Sequence, residues 1–82
     1  MTRKAYIHFV DEAVQTRLHG QYAAAAGLYV KAMGEANQGS EERTAAFVEA
    51  MECSYIALRD EPRARHCVVE IMGEATRLMP RA

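Results

Sequence analysis

The sequence contains no tryptophan, two cysteines and two prolines, and it has no long hydrophobic run. A membrane-spanning helix needs roughly 20 consecutive apolar residues, and no segment approaches that length. The basic pair of Arg3 and Lys4 is followed by no continuous apolar stretch, so we expect no secretory signal. Two cysteines in a chain without such a signal indicate reduced thiols, and we expect a cytoplasmic protein without a membrane segment.

A marked excess of charge of one sign is also lacking. Ten Lys and Arg residues stand against eleven Asp and Glu residues, which leaves a net charge of −1. Proteins that coat DNA or RNA normally carry a clear basic excess. A nucleic acid is therefore not expected as a direct ligand.

The composition is typical of a small folded domain, with 50% hydrophobic and 26% charged residues. With 82 residues the chain forms at most one domain, which spans residues 1–82. A chain this short buries a modest fraction of its surface. We therefore expect it to gain burial by binding a protein partner or by pairing with a second copy as a homodimer.

Three breaks divide the chain into four segments with helical periodicity. They fall at Gly20, residues 37–40 and residues 60–62, with Pro80 after the last segment. These residue types favour turns and helix ends, and we expect Ser40 and Asp60 to be the N-caps of the helices that follow them. Because short connections favour antiparallel neighbours, the sequence predicts an all-α protein of about four helices, arranged as two antiparallel helical hairpins or a small bundle.

The larger apolar residues recur at spacings of three and four, and we expect them to form the core. The predicted stripes are Ile7, Val10, Val14 and Leu18; Tyr22, Ala25, Ala26, Tyr29, Met33 and Ala36; Ala45, Phe47, Val48, Met51, Tyr55 and Leu58; and Cys67, Val68, Ile71, Met72, Ala75, Leu78 and Met79.

Residue types that carry chemistry are few and widely spaced. They are His8, His19, His66, Cys53 and Cys67. Their spacing matches none of the compact patterns typical of zinc sites, and core packing is the favoured interpretation of the cysteines over a redox pair or a thiol-rich metal site. The sequence also has no glycine-rich phosphate loop, no His-Glu-x-x-His and no Gly-x-Ser-x-Gly motif. We expect no enzyme, no catalytic residue, no metal site and no cofactor.

Two further features bear on partner binding. A loose basic cluster surrounds the third break and consists of Arg59, Arg63, Arg65 and His66. It is the polar face of an ordinary amphipathic helix or a patch for an acidic partner. Tyr22 and Tyr29, seven residues apart, lie on one side of the second helix, where they are core residues or anchors of a protein interface.

The second helix also contains a spaced motif. The motif is Gly20-x-Tyr22-x-x-Ala25-x-x-x-Tyr29-x-x-Ala32. It resembles the second half of a tetratricopeptide repeat, in which Gly and Tyr shape the turn and the alanines permit close helix packing. The turn of the second hairpin departs from this motif, because it is Arg59-Asp60-Glu61-Pro62 with no aromatic residue at the matching place. The resemblance implies tetratricopeptide-like helical hairpins.

A second resemblance extends over residues 9–58. The matching residues are Gly20, Tyr22, Ala25, Ala26, Tyr29, Ala32, the break at 37–40, Phe47 and Cys53. Their order is similar to that of the ANR-type small bacterial regulators, which are negative regulators of AraC-family activators. The Trp of that family and the Arg before its Cys are missing here. The resemblance implies a regulator that binds another protein, such as an activator or a nucleoid-associated protein, and does not read DNA bases.

We therefore expect a small cytoplasmic regulator of transcription that binds a transcription factor or nucleoid-associated protein through an aromatic helical face. The residues expected to bind the partner are Tyr22, Tyr29, Phe47 and Tyr55, with Arg63 and Arg65 at a polar rim. One alternative is a tetratricopeptide-like chaperone or adaptor, or a mobile-element inhibitor, that binds a protein partner. Another is a weak DNA-binding regulator that uses the turn around Arg59 and His66.

Overall fold

The computed structural model describes residues 3–80, which form four α-helices and no strand. The helices are α1 (Arg3–Leu18), α2 (Tyr22–Gly34), α3 (Glu41–Asp60) and α4 (Arg65–Arg77), with a 3₁₀ turn (Pro62–Ala64) before α4. The predicted all-α class and the three predicted breaks are confirmed. Within residues 3–80 no helix has the length and apolar character needed to cross a bilayer.

The helix ends follow partly from local sequence. Gly20 adopts a positive φ of 78°, a left-handed conformation that favours glycine, and this lets the chain reverse between α1 and α2. The hydroxyl of Ser40 accepts a hydrogen bond from the backbone N–H of Arg43 at 3.1 Å, which confirms the predicted N-cap of α3. The prediction for Asp60 is wrong, because α3 continues through it and its carboxylate pairs with Arg59.

Glu61, the residue after Asp60, does cap a helix, but that helix is α2 and not α4. One carboxylate oxygen of Glu61 accepts hydrogen bonds from the backbone N–H groups of Tyr22 at 3.0 Å and Ala23 at 3.4 Å. Gln21, the residue before α2, offers no side-chain cap of its own. The first turn of α2 is therefore capped from the second hairpin, and the α1–α2 and α3–α4 connections meet at one end of the molecule.

The four helices form a flat arrangement of two layers. The Cα atoms extend over 33 × 29 × 14 Å, and α2 packs against each of the other three helices while α4 packs against α2 and α3. Side-chain bonds from Tyr6 and Arg17 to α3 hold α1 and α3 side by side. The layer of α1 and α3 is thus covered on one side by α2 and α4, as expected for two consecutive antiparallel hairpins.

Alanine dominates the core. Two clusters of buried residues contain Ala13, Ala25, Ala26, Tyr29, Ala50 and Cys53, and Ala32, Met33, Ala46 and Ala75. Small side chains let neighbouring helix axes approach closely, so α2 lies deep between α1 and α3. The predicted stripe of α2 is confirmed except at Tyr22, which is half-buried.

The predicted stripes of α1 and α3 are confirmed at Val10, Phe47 and Met51, which pack against the core, and wrong at the other large residues that follow. Ile7, Val14 and Leu18 are 46%, 38% and 72% exposed, and on α3 Val48 and Tyr55 are 49% and 60% exposed. Ala13 in α1 and the alanines at 46, 50 and 57 in α3 occupy the buried positions instead. Close alanine packing selects these small residues for the interior and turns the larger ones outward.

The stripe of α4 is closer to the prediction. Val68 and Ala75 are fully buried, and Ile71 and Met72 are half-buried. Cys67 is the exception, since it is exposed and not packed in the core. It lies at the edge of the stripe, where α2 does not cover it.

At the other end of the molecule a buried arginine connects three helices. Arg43 donates hydrogen bonds to the carbonyl oxygen of Ala36 at 2.8 Å and to that of Leu78 at 2.7 Å, and its Nε has no partner among the described residues 3–80. These carbonyls lie just beyond the C-termini of α2 and α4, where the helix dipoles favour a positive charge. Arg43 therefore ties the ends of both helices to the start of α3.

Candidate protein-binding surface

The outward side of the α1 and α3 layer carries large apolar side chains. We call it the α1–α3 face, and its exposed apolar residues are Ile7, Val14, Leu18, Val48 and Tyr55. On α1 they are seven and four residues apart, and on α3 seven apart, so each set projects from one side of its helix. Isolated exposed apolar residues are common, but two aligned sets on neighbouring helices form a surface suited to a protein partner.

A polar cluster lies between the two apolar sets. Arg17 of α1 donates a hydrogen bond to the carboxylate of Glu49 of α3 at 2.9 Å, and both side chains are about two-fifths exposed or less. Burial, followed by the negative charge of Glu49, raises the pKa of the Tyr29 hydroxyl behind this pair. Glu49 in turn raises the pKa of Arg17. The pair joins α1 to α3 across the α1–α3 face and fixes their relative position.

Acidic side chains flank the apolar residues of this face. Asp11 lies on α1 between Ile7 and Val14, and Glu52 lies on α3 between Val48 and Tyr55. Both carboxylates are exposed, and neither forms an ion pair with any residue of the 3–80 segment. The face therefore combines apolar contact area with unpaired negative charge.

The predicted binding residues do not form one surface. Tyr29 is 2% exposed and packs in the core, so it cannot contact a partner directly. Phe47 is half-buried and packs against the cluster around Met33 and Ala75. Neither residue lies on the α1–α3 face: Tyr29, on the buried side of α2, packs against Ala13 of α1 and Ala50 of α3, and Phe47 is oriented toward α2 and α4.

The other four predicted residues remain accessible but are divided between two places. Tyr55 lies on the α1–α3 face. Tyr22 is half-buried at the start of α2, beside the connection that contains Arg63 and Arg65. Both arginines are exposed, and they form no ion pair within the part of the chain that the structure describes. Arg59, by contrast, donates two hydrogen bonds to Asp60.

A second surface feature lies on the opposite side of the molecule. We call it the α2–α4 groove, and its apolar lining is Gly27, Val30, Gly34, Cys67, Ile71 and Leu78. Its charged lining is Lys31 on α2 and Glu70 and Glu74 on α4. The buried side of α2 contacts α1 and α3, so this groove opens away from the α1–α3 face.

The two thiols occupy different environments. Cys53 is fully buried, and burial raises the pKa of its thiol, which keeps it protonated and unreactive. Cys67 is exposed, and both cysteines are free. Among residues 3–80 no three His, Cys, Asp or Glu side chains come together in a group that could hold a metal ion.

The prediction from sequence overlooked the α1–α3 face and the Arg17–Glu49 pair. The one related signal in the sequence is that Ala46, Ala50 and Ala57 recur on one side of α3, but spacing alone does not say which side is buried. The chain matches no protein-family model, no curated protein and no solved structure.

Proposed function

We propose that this protein is a small cytoplasmic regulator that binds another protein through the α1–α3 face. The observation that carries the proposal is the alignment of exposed Ile7, Val14 and Leu18 on α1 with Val48 and Tyr55 on α3. A partner helix with an apolar stripe would cover these residues and remove them from water. Tyr55 is the aromatic anchor of the face. A partner would bury its side chain, and tyrosines buried at an interface frequently contribute much of the binding energy.

The charges of the face support a basic partner. Asp11 and Glu52 lie beside the apolar residues and form no ion pair within residues 3–80, so lysine or arginine side chains flanking the apolar stripe of a partner helix would meet opposite charge. Transcription factors and nucleoid-associated proteins are rich in such basic segments because they contact phosphates. Together with the resemblance of residues 9–58 to ANR-type regulators, this favours a transcription factor or nucleoid-associated protein as the target.

The proposed mechanism is occlusion of a surface on the target protein. The effect on a target would come from covering a surface that the target needs with the apolar residues of the α1–α3 face. The proposal also includes self-association of the chain as a homodimer, which its small size favours.

The test is affinity capture from a nuclease-treated bacterial lysate, with a matched pair of variants. The double variant L18Q/Y55Q removes two of the most exposed apolar side chains of the α1–α3 face. The control V69Q makes a similar change on α4, where Val69 is 53% exposed and lies outside the face. Wild type and V69Q should retain the same transcription factor or nucleoid protein, and L18Q/Y55Q should lose it.

Circular dichroism and the urea midpoint of all three proteins establish that the variants are folded. If L18Q/Y55Q still retains the partner, the α1–α3 face is not the binding surface. Recovery of a secretion, phage or defence component in place of a regulator would favour the chaperone or inhibitor alternative. Retention that depends on intact duplex DNA would favour the DNA-binding alternative.

A further inference from the structure

The α2–α4 groove contains two glycines that the folding of the chain does not require. Gly27 and Gly34 are helical, and neither has a positive φ. A Cβ atom added at Gly27 would lie 3.8 Å from Cδ1 of Ile71, an ordinary contact, and one added at Gly34 would meet nothing within 4 Å. Alanine would therefore fit and would stabilise α2, since glycine is a poor helix former. The glycines leave the backbone of α2 open to close approach from outside.

The charges of the groove are divided between its two walls. Lys31 is the one charged residue in the sequence of α2, and it forms no ion pair with any residue between 3 and 80. The α4 wall carries Glu70 and Glu74, and Glu74 pairs with Arg77 of the same helix. The ion-pair partner of Glu70 among residues 3–80 is the largely exposed His66, at 3.6 Å. Lys31 on one wall and Glu70 on the other thus carry opposite charges, and neither forms an ion pair across the groove.

We infer that the α2–α4 groove is occupied by the same groove of a second copy of this chain. In a two-fold dimer each surface patch meets its own counterpart. A two-fold axis along the groove places α2 of one copy against α4 of the other, so that the wall with Lys31 meets the partner's wall with Glu70 in both directions. The charge pattern is self-complementary, and this distinguishes a second copy from an unrelated partner. The inference rests on the self-association included in the proposed function and names its surface.

The dimer also accounts for the apolar lining. Val30, Ile71 and Leu78 are half-buried within one chain and would be covered by the second. Gly27 and Gly34 would allow the facing helix to approach the α2 backbone, as small residues do in closely packed helix pairs. Since the groove and the α1–α3 face lie on opposite sides, the dimer would carry two α1–α3 faces that point outward.

A charge swap tests the inference. Sedimentation velocity over a concentration series should show wild type passing from the 9.1 kDa monomer to twice that mass. K31E and E70K should each raise the dissociation constant by at least about tenfold, because each brings like charges together. The double variant K31E/E70K restores opposite charges with their signs exchanged, and its dissociation constant should return to within a few-fold of wild type. K4E, on α1 and outside the groove, is the control and should behave as wild type.

A glycine pair provides a second test that does not depend on charge. G34Q introduces a side chain into the groove, whereas G73Q introduces the same side chain on the outer side of α4, where an added Cβ also meets nothing within 4 Å. G34Q should be monomeric and folded, and G73Q should dimerise normally. Cys67 lines the groove, so its alkylation should slow as the wild-type concentration rises.

Two results would overturn the inference. One is a wild-type protein that stays monomeric up to about 1 mM, an affinity too weak for function. The other is a dimer that K31E, E70K and G34Q leave intact but L18Q/Y55Q abolishes, since that would place self-association on the α1–α3 face. A monomeric wild type that still captures its partner through the α1–α3 face would refute the groove dimer alone and leave partner binding standing.

Discussion

Helices α3 and α4 are neighbours that bury their surfaces in opposite ways. In α3 half of the buried residues are alanines, at 46, 50 and 57, and Val48 and Tyr55 face outward. In α4 the buried side contains Val68, the outward side is polar apart from Val69, and the arrangement is that of an ordinary amphipathic helix. The difference shows that the size of a side chain does not decide its burial. Where α2 approaches closely, only small residues fit inside.

The same difference separates the roles of the two helices. Because α3 is held by close packing of small side chains, its larger apolar residues are free to contact a partner. In α4 the large residues are needed for packing against α2 and α3. Paired substitutions at inward and outward positions can test this contrast.

The largest effect is expected from enlarging the alanine side of α3. Ala50 is fully buried against α2, and Ala50→Leu should lower the free energy of unfolding by about 3 kcal/mol because the added atoms have no space. Ala45→Leu makes the same change at an exposed position of α3 and should alter it by less than about 0.5 kcal/mol. Urea denaturation of both variants measures the difference. Equal effects would show that α2 and α3 are not closely packed.

A smaller loss of stability is expected in α4 when a buried side chain is replaced by a smaller one. Val68 is fully buried, and Val68→Ala should lower the free energy of unfolding by about 2 kcal/mol through lost burial and a small cavity. Its neighbour Val69 is 53% exposed, so Val69→Ala should change the free energy by less than about 0.5 kcal/mol. Thermal or urea denaturation distinguishes the two. A larger loss at Val69 would contradict the assigned orientation of α4.

The smallest effect concerns a single hydrogen bond between α1 and α3. Tyr6 donates its hydroxyl to the carbonyl oxygen of Glu42 at 2.9 Å, and Tyr6→Phe should lower the free energy of unfolding by about 1 kcal/mol. Tyr55→Phe, at an exposed position without such a bond, should have no measurable effect on stability. Urea titrations at neutral pH compare the two variants, and equal stability losses would count against the α1–α3 contact.

The contact between Tyr6 and Glu42 also predicts that the stability of the protein depends on pH. Burial, and then the charge of Glu42, raise the pKa of Tyr6 above its usual value of 10.0. The stability that Tyr6 contributes is therefore fully present below pH 10.0 and is lost as the pH rises through the raised pKa. The difference in the free energy of unfolding between wild type and Tyr6→Phe should therefore become smaller when the urea titrations are repeated at alkaline pH. A gap that stays constant would show that the hydroxyl is not buried.

The number and extent of the helices could be predicted from the sequence because they depend on local signals. Gly20, Ser40 and Pro80 mark ends by their own backbone and side-chain preferences, and these positions were correct. Asp60 failed as a cap because α3 continues through it and its carboxylate pairs with Arg59, while Glu61 reaches the distant start of α2. No local pattern contains that information.

The buried sides of the helices were predicted wrongly where alanines, and not the larger apolar residues, occupy the interior. The stripe of Ile7, Val14 and Leu18 has good helical spacing, but spacing identifies a shared side and does not say whether that side faces inward. Only the packing partner settles this, and α2 with its alanines selects Ala13. Tyr29, one of the residues expected to bind a partner, is therefore buried, and the exposed apolar residues lie on the other side of α1 and α3.

The contacts of Glu61 and Arg43 have a consequence for how the chain folds. Glu61 supplies the hydrogen bonds at the first turn of α2, and Arg43 binds the carbonyl of Ala36 just past its last turn. Both ends of α2 are thus completed by residues that come later in the chain, so the α1–α2 hairpin lacks its terminal hydrogen bonds until α3 and α4 are in place. Native-state hydrogen exchange should find one cooperative unit, with the amides of α2 opening no more readily than those of α3.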